Sequence, residues 1–169
     1  MSLCLNLGSG QRPFAKPWIN VDIQERWHPD VTADGAHMPM FEDASADMIV
    51  LHHVYEHAGL GDNDAMIREC HRILAPNGSL LVFVPDMREL AKAWLRGQID
   101  DYIYMVNVYG AYQGDEADRH KFGYWGPSLA KALDAAVRWS HIKTFDWRKI
   151  EGADIAGPEF WILALEALK

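Results

Sequence analysis

Several residues in this chain have the types and spacing for chemistry at a bound nucleoside. Gly8-Ser9-Gly10 follows directly on the apolar run Leu3-Cys4-Leu5-Asn6-Leu7, and the carboxylate of Asp22 closes a second run, Trp18-Ile19-Asn20-Val21. A glycine turn at a strand end lets bare backbone approach a ligand, and an acid at the end of the next strand accepts hydrogen bonds from ribose hydroxyls. A dinucleotide site would have a third glycine where Pro13 stands, and its acid about 20 residues further on. Asp22 follows Gly10 by only 12 residues. The expected ligand therefore has one ribose and no pyrophosphate.

A second set lies where the run Met48-Ile49-Val50-Leu51 ends in His52 and His53, followed by Glu56 and His57. Ligands of open α/β sheets sit outside the carboxyl ends of the strands, so these side chains belong beside the nucleoside. In a helical turn His53, Glu56 and His57 share one face. Two chemistries suit them. His53, or His120 from farther along the chain, can act as a general base toward a hydroxyl, worth about 10² to 10⁴ in rate. Alternatively His53, Glu56 and His57 can ligate a divalent ion, with His120 as a remote fourth ligand. The metal-free reading is preferred here. Arg12 and Lys16, beside the glycine turn, are candidates for a ligand carboxylate, or are merely solvated.

Further segments follow in order: Asp34-Gly35-Ala36-His37-Met38-Pro39, then Phe41 through His57, then Glu69-Cys70-His71-Arg72-Ile73-Leu74-Ala75-Pro76-Asn77-Gly78 with the apolar run to Pro85. Over residues 3–85 this series resembles the class I S-adenosylmethionine-dependent methyltransferases, in the type 11-like group that has small-molecule and saccharide-pathway members. The resemblance implies S-adenosylmethionine as cofactor, bound at Leu7, Gly8, Ser9, Gly10, Asp22, Ile23, Asp34, Gly35, Ala36 and His52, with Asp34 beside the adenine amino group. It also implies methyl transfer to a small-molecule or saccharide acceptor, at a hydroxyl, with His53 and His120 as catalytic candidates. The set His53-x-x-Glu56-His57 resembles the Glu-x-x-Glu-His metal sites of certain O-methyltransferases, with His53 in place of the first Glu. Two other readings stand beside this one: a non-catalytic cofactor-binding module acting through a partner, and a different nucleoside-binding enzyme.

The elements that must position these groups alternate between strand and helix. Strands are expected at 3–7, 18–22, shortly after Pro29, at 47–52 and at 79–84, with a closing pair at 141–147 and 159–167. Helices are expected from Asp62 to Leu74, from an Asp86 cap to Arg96, over the aromatic stretch 99–112, and from Pro127 to 139. The fold class that results is α/β: a doubly wound, mostly parallel sheet with an antiparallel last strand. All 169 residues are read as one domain, with 1–85 holding cofactor and 86–169 supplying the substrate side.

One stretch departs from that pattern. Only Gln11 to Pro17 separates Gly10 from Trp18, whereas a parallel crossover usually takes a dozen residues or more and contains a helix. The helices after the first two strands are therefore expected to be reduced. Parallel sheets are rarely left exposed, so the bare face is expected to be covered by residues 99–112 or by a second subunit in a homodimer. The rings of Tyr102, Tyr104, Tyr109, Tyr112, Phe122, Tyr124 and Trp125 are expected either to wall the acceptor pocket or to pack such a surface.

Composition narrows the partners. Lys and Arg number 16 against 24 acids, a net charge of -8, which disfavours a nucleic-acid substrate. There is no run of about 20 apolar residues and no secretory leader, so no membrane association is expected and a cytoplasmic location is. Cys4 and Cys70 read as reduced core residues.

Overall fold

A computed structural model describes residues 2–59, 62–112, 114–146 and 161–169. Strands β1 (Cys4–Leu7), β2 (Ile19–Asp22), β3 (Val31–Thr32), β4 (Ala46–His52), β5 (Leu74–Pro85), β6 (His141–Thr144) and β7 (Ile162–Leu168) form one sheet in the order β3-β2-β1-β4-β5-β7-β6. The first five strands pair in parallel, and β7 runs antiparallel between β5 and β6. The helices are α1 (Asp62–Ile73), α2 (Met87–Leu95), α3 (Asp101–Tyr109) and α4 (Gly126–Ala136), with single 3-10 turns at Glu25–Trp27, Tyr55–His57 and Glu116–Asp118. The expected fold class holds. No described helix is long and apolar enough to cross a membrane.

Local chemistry sets the element ends. Asp86 caps α2 by accepting from the Arg88 and Glu89 amides. Pro76-Asn77-Gly78, expected as a turn before a new strand, lies within β5 as an irregularity: pairing jumps from Ala46–Leu74 to Met48–Ser79, with Asn77 at φ 66. The helix expected to reach residue 139 stops at Ala136, because Val137 is already extended. The closing strands are shorter than expected, and residues 147, 159 and 160 lie outside the described residues.

Strand side chains alternate between two faces. Leu5, Leu7, Val21, Ile49, Leu51, Leu80 and Val82 share one cluster with Ile67, Cys70 and Ile73 of α1 and Leu129 and Leu133 of α4. On the opposite face Val50, Leu81 and Phe83 pack with Phe14 and Trp18, whose rings meet edge to face at 5.2 Å.

Phe14 and Trp18 come from and border the short crossover, and they correct the expectation for this face. Residues 99–112 do not cover it: α3 packs on α2, with Tyr104 stacked on Trp94 at 4.6 Å. Val50, Leu81 and Phe83 are fully buried within one chain, which removes the stated reason for a second subunit.

The loop needs an anchor because it has no helix to satisfy its backbone. Asn20, buried in β2, provides it: its Oδ1 accepts from the Phe14 amide at 2.8 Å and its Nδ2 donates to the Phe14 carbonyl at 3.0 Å. Asn6 Nδ2 donates to Asn20 Oδ1 at 2.9 Å, and Asp30 accepts from the Asn20 backbone and side chain. Lys16 completes the set on Asp30 at 2.6 Å. The Asn20→Ala variant, which strands these buried partners, is expected to lose about 2–4 kcal/mol of stability in urea denaturation with an unchanged denaturant slope. A loss below about 0.5 kcal/mol would show that the loop is held by its apolar contacts alone.

Candidate functional site

The carboxyl ends of β1, β2 and β4 open into a cleft with two adjoining lobes. One, of about 380 Å³, is lined by Leu7, Gly8, Gly10, Asp22, Ile23, Asp34 and Gly35, among others. The second, of about 440 Å³, takes in Ser9, Arg12, His52, Asn107 and His120. Gly8, Gly10, Trp27, His53, His57 and Asp118 border both.

The first lobe is built around Asp22. Its Oδ2 accepts from the Gly10 amide and its Oδ1 from the Gln24 amide, both at 2.8 Å, while the Gly8 amide donates to the Val21 carbonyl at 2.7 Å. Gly8 sits at φ 65, and a β-carbon there would run into the Val54 side chain, so only glycine fits. Asp34 stands at the lobe's far edge, its Oδ1 accepting from the Ala36 amide at 2.9 Å. Turn, carboxylate and second acid are thus brought together, as expected for a nucleoside grip. The expected contacts are not all in this lobe: Ser9 and His52 line the other one, and Ala36 borders neither. Lys16 is held by Asp30 away from the cleft, and Arg12 alone of that pair lines it.

The second lobe is organised by Glu56, whose side chain is 2% exposed. Its Oε1 lies 2.9 Å from His53 Nδ1 and 3.9 Å from His120 Nε2, and Oε2 has no described partner. Burial opposes its charge, but the His53 hydrogen bond and the nearby His53, His120 and His57 rings outweigh this and lower its pKa. An ionised carboxylate only accepts, so His53 Nδ1 carries the proton and Nε2 is the basic nitrogen. His120 Nδ1, 2.8 Å from the Asn107 carbonyl, must likewise be the donor, again leaving Nε2 basic. Burial, opposed by Glu56, lowers the His120 pKa, and burial and the adjacent His53 push His52 down to about 3.

His53 has a left-handed backbone, φ 55, with its amide on the Phe83 carbonyl at 3.0 Å. Successive strand residues point to opposite faces, and this twist at the end of β4 lets His52 and His53 both border the cleft. The metal alternative is corrected in its members: Glu56, His57 and His120 bring ligand atoms within 4.8 Å of one another, and His53 is a hydrogen-bond partner of that group.

Of the two alternatives for the rings at 102–125, the acceptor-pocket wall is absent from the described lining of both lobes. Tyr124 packs against Tyr55 and Phe122 in the core, and Tyr102, Tyr109 and Tyr112 face solvent. The bordering ring is Trp27, which sequence reasoning missed: it lies on a single 3-10 turn, and only its position just after Asp22 pointed to the cleft.

Residues 7–82 match the family model of a methyltransferase domain. A search of curated proteins finds no match. Among solved structures, an S-adenosylmethionine-dependent methyltransferase from Archaeoglobus fulgidus is 16% identical with a TM-score of 0.65, covering 99% of this chain and 86% of its own. A possible histamine N-methyltransferase from Thermotoga maritima is 16% identical with a TM-score of 0.63, covering 100% and 83%. A 1,6-didemethyltoxoflavin-N1-methyltransferase from Burkholderia thailandensis, solved with its substrate and S-adenosylhomocysteine, is 17% identical with a TM-score of 0.57, covering 99% and 71%. The matched segment is a little under half of the chain, and the solved structures show that the fold is the one these S-adenosylmethionine-dependent methyltransferases share. The Burkholderia structure holds S-adenosylhomocysteine, which makes that nucleoside the probe for this cleft.

The Asp22→Ala variant is expected to weaken S-adenosylhomocysteine binding about thirtyfold in calorimetry, equivalent to ~2 kcal/mol. Unchanged affinity would take the ribose away from this carboxylate.

Proposed function

We propose that this enzyme transfers the methyl group of S-adenosylmethionine to a hydroxyl oxygen of a small-molecule or saccharide acceptor held in the histidine-lined lobe. The supporting observation is His53, which borders both lobes and is hydrogen-bonded through Nδ1 to the buried Glu56 behind it. In this reading Gly8 and Gly10 pass close under the cofactor, Asp22 takes the ribose hydroxyls, and Ile23, Asp34 and Gly35 surround the adenine. Ser9, Arg12 and His52 meet the methionine end.

The sulfonium is already an activated leaving group, so holding acceptor and methyl carbon in line carries most of the acceleration, up to about 7–11 kcal/mol in well-oriented systems. The acceptor oxygen attacks the methyl carbon, the carbon–sulfur bond breaks, and the electron pair stays on the thioether of S-adenosylhomocysteine. The hydroxyl proton passes to His53 Nε2, and the Glu56 carboxylate stabilises the resulting imidazolium. His120, whose Nε2 lies 3.9 Å from the same Glu56 oxygen, is the second candidate base. The His53→Ala variant is expected to lower kcat about 10² to 10⁴-fold with S-adenosylhomocysteine affinity unchanged. The assay is transfer of labelled methyl to a panel of hydroxyl, carboxylate and amine acceptors. Full turnover in the variant would remove His53 from the chemistry, and no transfer by the wild type to any acceptor would favour the non-catalytic module.

A second reading is favoured by a separate observation: Glu56, His57 and His120 could hold a divalent cation. Glu56 Oε2 and His57 Nδ1 are buried without described partners, and the Asn107 carbonyl orients His120 as outer-shell carbonyls orient ligating imidazoles. A bound ion would supply Lewis acidity toward an acceptor oxygen. Calorimetry with Zn²⁺ and Mn²⁺ is expected to show binding that His57→Ala and His120→Ala abolish and His53→Ala retains. Absence of binding, or binding indifferent to His57, would dismiss the ion.

A further inference from the structure

The rims of the cleft come from segments far apart in sequence, and they meet at one carboxylate. One rim is Gln24 with the turn Glu25–Trp27. The other is Gly114–Lys121, in which Ala117, Asp118 and Lys121 border the cofactor lobe while Asp118 and His120 border the acceptor lobe. Asp118 Oδ1 accepts from Gln24 Nε2 at 3.2 Å, and Arg26 Nη2 reaches Oδ2 at 3.3 Å and Oδ1 at 3.4 Å. The Asp118 side chain is only 14% exposed.

Both ends of this bridge are tied to groups that face a ligand. On one side the Gln24 amide donates to Asp22 Oδ1, the carboxylate of the cofactor lobe. On the other, Asp118 helps close its own turn by accepting from the Asp115 amide, and two residues on, His120 enters the acceptor lobe. His120 is held there through its amide on the Tyr109 carbonyl, and Lys121 through its amide on the Glu56 carbonyl. On the strap Asp115, Glu116 and Arg119 are exposed, and Gly114 has a positive φ in open space.

We propose that Asp118 is a positioning residue that couples the two lobes: cofactor seated on Asp22 fixes Gln24, Gln24 and Arg26 fix Asp118, and the strap then sets His120. The acceptor lobe is completed only on the cofactor-loaded protein, so cofactor adds before acceptor. Because Ala117, Asp118 and Lys121 roof the cofactor lobe, the strap opens to admit the nucleoside and its closure slows release. Two sites linked in this way share a coupling free energy that each ligand feels.

This inference rests on the cofactor occupying the Asp22 lobe, and amide hydrogen exchange with S-adenosylhomocysteine as probe separates the two. In the wild type the probe is expected to slow exchange at Gly8–Gly10, at Asp22–Gln24 and across 114–121. In Asp118→Ala the first two effects persist, protection of 114–121 is lost, and the probe dissociates about tenfold faster. Arg26→Met, at a more exposed side chain outside the strap's own turn, is expected to act in the same direction. Protection at Gly8–Gly10 and Asp22–Gln24 without any change at 114–121 in the wild type overturns the coupling alone. Equal strap protection and release rate in wild type and both variants also overturns it. Absence of protection at Gly8–Gly10 and Asp22–Gln24 overturns the cofactor placement and the coupling with it.

Discussion

The cofactor edge of this protein depends on a crossover too short to hold a helix. Gln11 to Pro17 can span the distance back along β1 only as extended chain, so a loop must shield the sheet face that a helix would normally cover. Asn20 makes this possible. One amide side chain satisfies both backbone groups of Phe14, as a neighbouring strand would, and sets Phe14 and Trp18 over the second apolar cluster of the sheet. The same economy shapes the site: without a helix after the glycine turn there is no helix dipole to face the ligand, and backbone amides with Asp22 carry the grip. Asp22 is a brace, since Gly10 and Gln24 hang from its two oxygens, and in the proposed reading it is the ribose ligand as well.

A second constraint follows from burying Glu56. A carboxylate removed from water must be compensated, and here the compensation is a ring of imidazoles in place of a lysine or arginine. Imidazoles can exchange protons near neutral pH, which a guanidinium cannot, so the groups that keep Glu56 ionised are also able to do chemistry. The tautomers are set from outside the cleft, by Glu56 itself for His53 and by the Asn107 carbonyl of α3 for His120. Helix α3 thereby serves the site through a backbone carbonyl, while several of its aromatic side chains face solvent.

What was legible in the sequence was local. The glycine turn, Asp22, Asp34 and the histidine run each sit at a strand end, and strand ends are read from short apolar runs. The mostly parallel sheet and its antiparallel last strand followed from the family resemblance together with the alternation of elements, whereas the order of the strands came only with the structure. The missed features are those set by packing across long separations. Aromatic density at 102–125 says nothing of direction, and the rings turned to the core or to solvent while Trp27, a solitary ring on a single turn, reached the cleft. The role of Asn20 was equally hidden, because an asparagine in a strand looks the same whether its amide meets solvent or a loop. His120 was expected as a general base or a remote metal ligand, but its approach to Glu56 depends on its amide bonding to the Tyr109 carbonyl and the Lys121 amide to the Glu56 carbonyl, which no local pattern announces.

The shared wall of the two lobes carries the functional argument furthest. A displacement at a methyl carbon needs nucleophile and leaving sulfur on opposite sides of one small group, so the cofactor and acceptor cavities must touch and not merely lie near each other. Gly8 and Gly10 have no side chains to intrude there, and His53, just past β4, and His57, on the turn that follows, border it. Trp27 and Asp118 close the same boundary from the outer rim, Trp27 beneath the Arg26 guanidinium at 4.6 Å and Asp118 beside it. Small groups at the floor, basic nitrogens at one wall and a removable rim at the other are what an in-line transfer between two bound molecules requires. The short crossover adds one more property, because Gln11 and Arg12, not a helix, bound the acceptor lobe on that side. In the proposed reading, an acceptor on that flank would meet two exposed polar side chains.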